Sequence, residues 1–519
     1  MDFRLPKQVP SVALIVLVAA VLRLKDLDQP LNDVFSWREA STAMMADNFW
    51  QHSWNIFYPE VSWTGPGPSY QGREFQVVSY ITALFYAVFG WHPALGRLVA
   101  VCFGLLGVFA LHRLLARIWG SRYADAGALV LAMLPGAVVL DREFLPDPAM
   151  LSLVITGLWL FVVYLQTDRF WLLPVSAAIL TLGILAKLPG LTVVAPCVYA
   201  ALHTLKGRED ARRRMLLLAI TGVLFALPIV AYYSWAIHLG KTYPPYHIAG
   251  GGYIWERGAL MNFWREGFYL SDLAIAFNYW FLTQPLLLLV LVGILSPVLY
   301  RKEHEGRPFR WLAHVWLGAC LLLYAVAMEE IAHNTQNLLV LAAPAAMVAA
   351  DGLLMIARTT GRSLRKDPDL VRLVLMIVIV LAASREGIAV IKNPRAADGV
   401  ELGTRLAALS APTDLVITGA LQYGDPIAIY YSRRRGWIFP PYGFPGPYGV
   451  FTDDETAIRI LEDLRKQGAR WFAVTKDAAD ASGEVLFVKH HAGLLAYLDR
   501  TAAQVENNDR LLIYRLSAP

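Results

Sequence analysis

Gln76-Val-Val-Ser-Tyr-Ile-Thr-Ala-Leu-Phe-Tyr-Ala-Val-Phe-Gly90 decides the fold, because everything after it changes side of a membrane according to whether this run crosses. The run is apolar but shorter than the roughly 20 residues that a helix needs to span the hydrocarbon. If it does not cross, five basic clusters fall on one side: Arg4 with Lys7, Arg113 with Arg117 and Arg122, Lys206 to Arg214, Arg301 to Arg310, and Arg358 to Lys366. Lys and Arg concentrate on the cytoplasmic side of membrane proteins, so that side is the cytoplasm. If it crosses, every later cluster flips outward against that rule. The sequence therefore predicts an interfacial helix at 76–90. It predicts about eleven crossings, at 10–26, 94–117, 122–140, 149–166, 171–188, 190–206, 215–238, 279–300, 311–328, 336–357 and 370–392.

Composition agrees with a chain that lives in lipid. Of 519 residues, 56% are hydrophobic and 17% charged, against about 25% charged in ordinary soluble domains. The net charge of +5 follows from loop topology, since no Lys/Arg tract is interleaved with an aromatic platform, and nucleic acid is not an expected partner. Cys102, Cys197 and Cys320 all lie in apolar runs and suggest neither a disulfide framework nor a zinc site. Met1 to Pro10 and the apolar run after it mimic a signal peptide, but no clear small-residue cleavage site follows and Arg23 and Lys25 come next, which favours a retained first helix.

With that topology the unusual polar residues collect on the outer face: loop 27–75, the turn Asp141 to Pro148, the Lys187-Leu188-Pro189 junction, loop 239–278, the turn Glu329 to Asn337, and the tail from 393. A carboxylate at the outer mouth of a span is placed to take a proton from an attacking hydroxyl. Asp33 has that position, and equally that of an N-cap for a helix over 36–49. Glu39 either shares the site or is a first-turn glutamate favoured by the helix dipole. Arg73-Glu74 offers an anion-binding cation and a metal- or hydroxyl-binding carboxylate, or a plain ion pair. Arg142, Glu143 and Asp147 are charges beside a bilayer, costly unless paired or functional. Lys187 interrupts an apolar hairpin and needs an anion, for which a lipid phosphate would serve, as would headgroups reached by snorkelling. Loop 239–278 brings Arg257 and Arg265 among Tyr and Trp residues, as a lid or as an interfacial belt. His333 stands in the last outward turn.

The tail changes character. Strands are expected over 414–420, 436–439, 470–475 and 511–516, with helices over 426–432 and 456–468, which makes a small α/β domain outside the membrane. The expected organisation is a transmembrane module over 1–392 and an extracytoplasmic α/β domain over 393–519.

In order along the chain, Asp33 with Trp37-Arg38-Glu39, Arg73-Glu74-Phe75, Arg142 with Pro146-Asp147, Lys187-Leu-Pro-Gly190 and Tyr430-Tyr-Ser-Arg-Arg-Arg-Gly436 resemble the C-type glycosyltransferase superfamily. The likeness is to its bacterial branch of aminoarabinose and galacturonosyl transferases and, more distantly, protein O-mannosyltransferases. It covers about the first 400 residues. The resemblance implies an undecaprenyl-phosphate sugar donor, inversion at the anomeric carbon, and an acceptor hydroxyl on a lipid, glycan or protein. It also implies an acidic general base in the first outer loop, and a bacterial inner-membrane location. By position the base is Asp33. Many relatives have Asp-Glu adjacent, whereas Val34 follows Asp33 here, and aligning the downstream helix instead makes Glu39 the base. Glu74 resembles a position that holds a divalent metal in some relatives, and Asp147 a second acidic site residue; relatives differ in metal dependence. Gln76-Val77-Val78 replaces the frequent Lys-Pro-Pro. Arg73, Arg142, Lys187, Arg257, Arg265 and His333 are the expected contacts to donor phosphate or sugar. A lipid-linked sugar flippase would instead show repeated halves with broken helices, and no repeat is present; a non-catalytic scaffold subunit is the other alternative.

Overall fold

The computed structural model describes residues 11–32, 35–246, 268–391, 397–420, 425–441, 452–479 and 483–517. They gather into two compact units. The first comprises Met1–Leu27, Arg97–Ser234 and Gly250–Lys392, and the second Asp28–Gly96, Trp235–Ala249 and Asn393–Pro519. The first five helices are α1 (Ser11–Arg23), α2 (Ser36–Gln51), α3 (Val77–Phe89), α4 (Ala94–Ile118) and α5 (Ser121–Met133). Next come α6 (Pro135–Leu140), α7 (Asp147–Thr167), α8 (Leu172–Ala186), α9 (Val194–Leu205) and α10 (Ala211–Thr242).

Most of the first unit is apolar helix. Five described helical runs are long and apolar enough to cross a membrane: Ala94–Ile118, Asp147–Thr167, Leu188–Leu205, Ala211–Thr242 and Thr335–Leu364. A sixth is obtained if Leu273–Trp280 and Gln284–Leu299, bent by 112° at their junction, count as one. The chain is a multi-pass membrane protein. Every expected crossing has helix at its place, yet several, such as α1, α8 and Leu312–Val326, are short. The number of crossings therefore stays an expectation. At 13 residues α3 is about 20 Å long, too short to span a bilayer by itself.

Breaks in these helices follow from sequence. Pro135 cannot continue α5, so the chain turns at Leu134 and restarts with Pro135 in the first turn of α6. Asp147 and Pro148 open α7, an acid and a proline where the free N–H groups favour both. At Lys187 the backbone is extended (φ −164°, ψ 133°), and a 3-10 turn over Leu188–Val193 leads into α9. Two helices touch backbone to backbone: a Cβ on Gly293 would lie 1.9 Å from Val348 O, and one on Gly352 2.1 Å from Leu289 O. Close approach through glycine is how helices associate where lipid removes the hydrophobic drive.

The second unit combines α2, α3 and the segment between them with the tail. The tail builds a five-stranded sheet from β1 (Leu415–Gly419), β2 (Gly436–Ile438), β3 (Ala469–Thr475), β4 (Ala502–Asn507) and β5 (Leu511–Leu516), ordered β2-β1-β3-β5-β4. Strands β2, β1 and β3 run parallel, and β5 is antiparallel to both of its neighbours, β3 and β4. Its core is Ile417, Phe439, Ile460, Phe472, Phe487 and Tyr514. Strand β2 would be a bare edge, but the loop after α2 covers it. Gly65 N donates to Gly436 O (2.7 Å), and Gly436 N donates to Ser62 O (3.0 Å). Arg435 clamps the same loop through Glu60 Oε1 (2.6 Å) and Gly67 O (2.9 Å).

Candidate functional site

The described charged residues singled out in the sequence lie in two places, one in each unit. In the first unit the turn between α6 and α7 holds Asp141, Arg142 and Glu143, all buried, and Asp147 follows at the start of α7. Arg23, at the end of α1, donates through Nε to Asp141 Oδ2 (3.0 Å) and through Nη1 to Ala132 O (2.8 Å). Arg142 Nη2 donates to Asp26 O (2.9 Å). Gly104 of α4 passes so close that a Cβ there would lie 2.7 Å from the Asp141 side chain. Lys187 Nζ donates to Asp147 Oδ1 (2.7 Å), with both side chains largely buried. The anion beside Lys187 is thus a residue of this chain. Charges this far from water persist only when matched, and removing one partner of such a pair typically costs about 3–5 kcal/mol.

The first unit also has an apolar groove of about 380 Å³ between α7, α8, α9 and α10, lined by Leu180, Ile184, Leu191, Cys197, Met215 and Phe225 among others. Two of its lining residues, Ile184 and Leu191, lie three and four positions from Lys187 in sequence. From Ile184 to Leu173 it follows α8 for about 16 Å.

In the second unit Glu39 lies in the first turn of α2 with no exposed surface, and Ala40 to Ala46 are buried after it. Arg73 and Glu74 are also buried. Arg38 Nη2 donates to Glu74 Oε1. Gln76 Nε2 donates to Glu74 O (2.6 Å), and Ser79 Oγ to Thr42 O (2.9 Å), which ties the start of α3 to α2. The cation that faces Glu74 here is Arg38 of α2.

Asp33, Arg257 and Arg265 lie outside the described residues, as does the side chain of His333, whose backbone ends the short helix Met328–His333. Among the described residues no group of three or more His, Cys, Asp or Glu could hold a metal ion. Glu74 is engaged by Arg38 and Asp147 by Lys187. A carboxylate already facing a cation is a poor ligand for a second one, so this donor set does not fit a divalent metal.

Several contacts escape a reading by residue type. Arg23 reads as the polar flank of a span, not as the partner of Asp141. The arginine run ahead of β2 reads as one motif, but its members separate. Arg433 lies 4.2 Å over the Trp91 ring, Arg434 caps Ala407 O and Ser410 O, and Arg435 binds Glu60. Asp47 of α2 faces Arg433, Trp91 and Tyr86; burial pushes its carboxyl up to about 7 against the pull of Arg433.

Residues 76–235 match the family model described as dolichyl-phosphate-mannose-protein mannosyltransferase. The whole chain superposes on ArnT from Cupriavidus metallidurans bound to undecaprenyl phosphate, with TM-score 0.64, 15% identity and 97% of each chain covered. The fold is that of the C-type glycosyltransferases. The apo state of the same ArnT gives 0.65 at 16% identity, over 98% of this chain and 97% of that one. The archaeal oligosaccharyltransferase AglB from Archaeoglobus fulgidus, in complex with an inhibitory peptide and a dolichol-phosphate, gives 0.56 at 12% identity. That match covers 90% of this chain and 69% of AglB. No curated protein matches the sequence. The likeness in fold to that ArnT covers 97% of this chain, and so reaches beyond the roughly 400 residues over which the motifs resemble that superfamily.

Proposed function

We propose that this protein transfers a sugar from a polyprenyl-phosphate donor, undecaprenyl phosphate in a bacterial inner membrane, to an acceptor hydroxyl on a lipid, glycan or protein. Transfer takes place at the outer face, and the tail domain is extracytoplasmic. The observation that best supports this reading is an apolar groove whose lining residues Ile184 and Leu191 bracket Lys187 in the sequence. A prenyl phosphate is one of the few ligands that needs both a long dry channel and a cation at its end. The phosphate leaves as an anion and needs charge compensation more than covalent help. Lys187 and Arg142 are the assigned cations in the first unit and Arg73 in the second, with Arg257, Arg265 and His333 as further candidates.

The acceptor hydroxyl loses its proton to Asp33 or Glu39, and its oxygen attacks C1 from the face opposite the phosphate, inverting the anomeric carbon. No step is routed through a metal. A general base typically contributes about 10²–10⁴-fold. The test is transfer of radiolabelled sugar from a polyprenyl-phosphate donor by the reconstituted protein. Asp33→Asn or Glu39→Gln is expected to lower turnover by about 10²–10⁴-fold, with donor binding retained. Full turnover in both variants removes the base assignment, and no transfer by the unaltered protein from any prenyl-phosphate sugar removes the reading.

A further inference from the structure

At the far end of α2 the second unit has a hollow of about 250 Å³ that none of the assignments above uses. Its walls are Asn48, Phe49, Asn55, Tyr58, Glu60 and Tyr70. It is smaller than the roughly 300–1,000 Å³ of pockets that hold drug-sized ligands, and so suits one ring. Two tyrosines make one wall, edge to face with ring centres 5.1 Å apart. They are held from behind by Trp235 at 5.3 Å from Tyr58 and Tyr243 at 5.0 Å from Tyr70. The polar side is built to match. Asn48 Nδ2 is fixed by Glu60 O (2.8 Å), which sets the plane of its amide. Glu60 is neutralised by Arg435 Nη1 (2.6 Å), and His52 Nδ1 lies 3.1 Å from its other oxygen.

That combination selects a class of ligand. A carboxylate already matched by an arginine offers hydrogen-bond acceptors with little net charge, which disfavours an amine or a phosphate as occupant. Amide and carboxylate groups opposite tyrosine faces suit a neutral ring with hydroxyls on its rim and C–H groups on its face. Asn48 lies nine residues beyond Glu39 on the same helix, about 13 Å along its axis. One sugar ring cannot reach across that distance.

We propose that this hollow binds a pyranose of the acceptor, one or more sugars removed from the hydroxyl that is glycosylated. The acceptor is then a saccharide-bearing molecule, a glycolipid or a polysaccharide, and not an isolated side-chain hydroxyl. This rests on the transferase reading for the word acceptor, but the hollow's affinity for sugar does not.

The experiment is saturation-transfer-difference NMR on the full chain in lipid nanodiscs, free of sugar-headed detergent. The probes are the methyl glycosides of glucose, mannose, galactose and N-acetylglucosamine. Saturation of ring protons is expected for at least one probe. It should be kept in Tyr58→Phe and weakened about five-fold in Tyr58→Ala, whose thermal unfolding checks that the fold survives. Asn55→Ala, at the exposed rim, is a second variant expected to weaken the signal. No saturation with any probe overturns the proposal, as does equal saturation in Tyr58→Ala and Asn55→Ala. Sugar binding without any sugar transfer keeps the hollow and sinks the transferase reading; transfer without sugar binding does the reverse.

Discussion

Lys187 shows how far residue type alone carries. A lysine inside an apolar hairpin announces a need for an anion, and the sequence names the need but not the donor. In the folded chain the anion is Asp147, 40 positions earlier and 2.7 Å away. In the proposed mechanism the pair is shared with the donor phosphate. A charge-assisted hydrogen bond is worth about 1.5–3 kcal/mol, so Lys187→Met is expected to raise the KM for the prenyl-phosphate donor by roughly 10- to 100-fold. Asp147→Asn, which frees the lysine, should lower it; initial rates against donor concentration read both. Arg23 and Asp141 make the same point for stability. Arg23→Leu leaves Asp141 buried without its guanidinium and is expected to cost about 3–5 kcal/mol. Adding Asp141→Leu should restore much of the loss. Scanning fluorimetry of both variants checks this, and an equally unstable double variant would show that the pair matters for shape alone. Neither partner is legible from spacing, because the contact joins two spans separated by more than a hundred residues.

Elements are more legible in the sequence than their junctions. Apolar runs of the right length mark the membrane helices, since burial in lipid demands the same pattern of every such helix. The strands at 415–419, 469–475 and 511–516 stood out as short apolar runs between turns. Strand β4 did not, because most of Ala502–Asn507 is exposed and pairs only with β5, so no burial pattern betrays it. Nor did the sequence reveal that the loop after α2 closes the β2 edge, which depends on backbone groups of Ser62 and Gly65. Gly65 is needed there: its φ is +104°, and a Cβ would lie 2.7–2.8 Å from the Trp437 indole. Helix packing in the first unit depends on glycine in the same way. Gly352→Val would drive a side chain into the backbone at Leu289, and the helix Gln284–Leu299 would have to move out. The expected result is a protein that fails to give a monodisperse peak in detergent, whereas Gly318→Val, where nothing lies within 4 Å, should give the same peak as the unaltered chain.

For the whole molecule the consequence is a stability that falls as pH rises through the mildly acidic range. Burial is the main cause that raises Asp425 to about 6, against hydrogen bonds from Ile427 N and Ser36 and with repulsion from Asp398. Burial likewise raises Asp47 to about 7, opposed by Arg433 and Trp91. Unfolded, both would titrate near the ordinary aspartate value of 3.8. Between about 4 and 7 the folded chain therefore holds protons that the unfolded chain has lost, and each rise in pH favours unfolding. For Asp425 the whole effect is on the order of 3 kcal/mol, complete above its folded value. His491 works the other way just below pH 6.5, because burial lowers its pKa and the unfolded chain binds the proton more tightly. Asp454, held below its ordinary value by Leu494 N, Gly493 N and His491 despite the opposing effect of burial, acts only below about pH 4, outside this window. Asp425→Asn and Asp47→Asn remove the second unit's two falling contributions and leave that of Asp141, whose carboxyl burial pushes up against the pull of Arg23. Thermal unfolding measured from pH 4.5 to 8 should fall with pH in the unaltered protein, fall less in each single variant, and fall least in the double variant. If the double variant keeps the full fall, the buried carboxyls of the second unit are not its source.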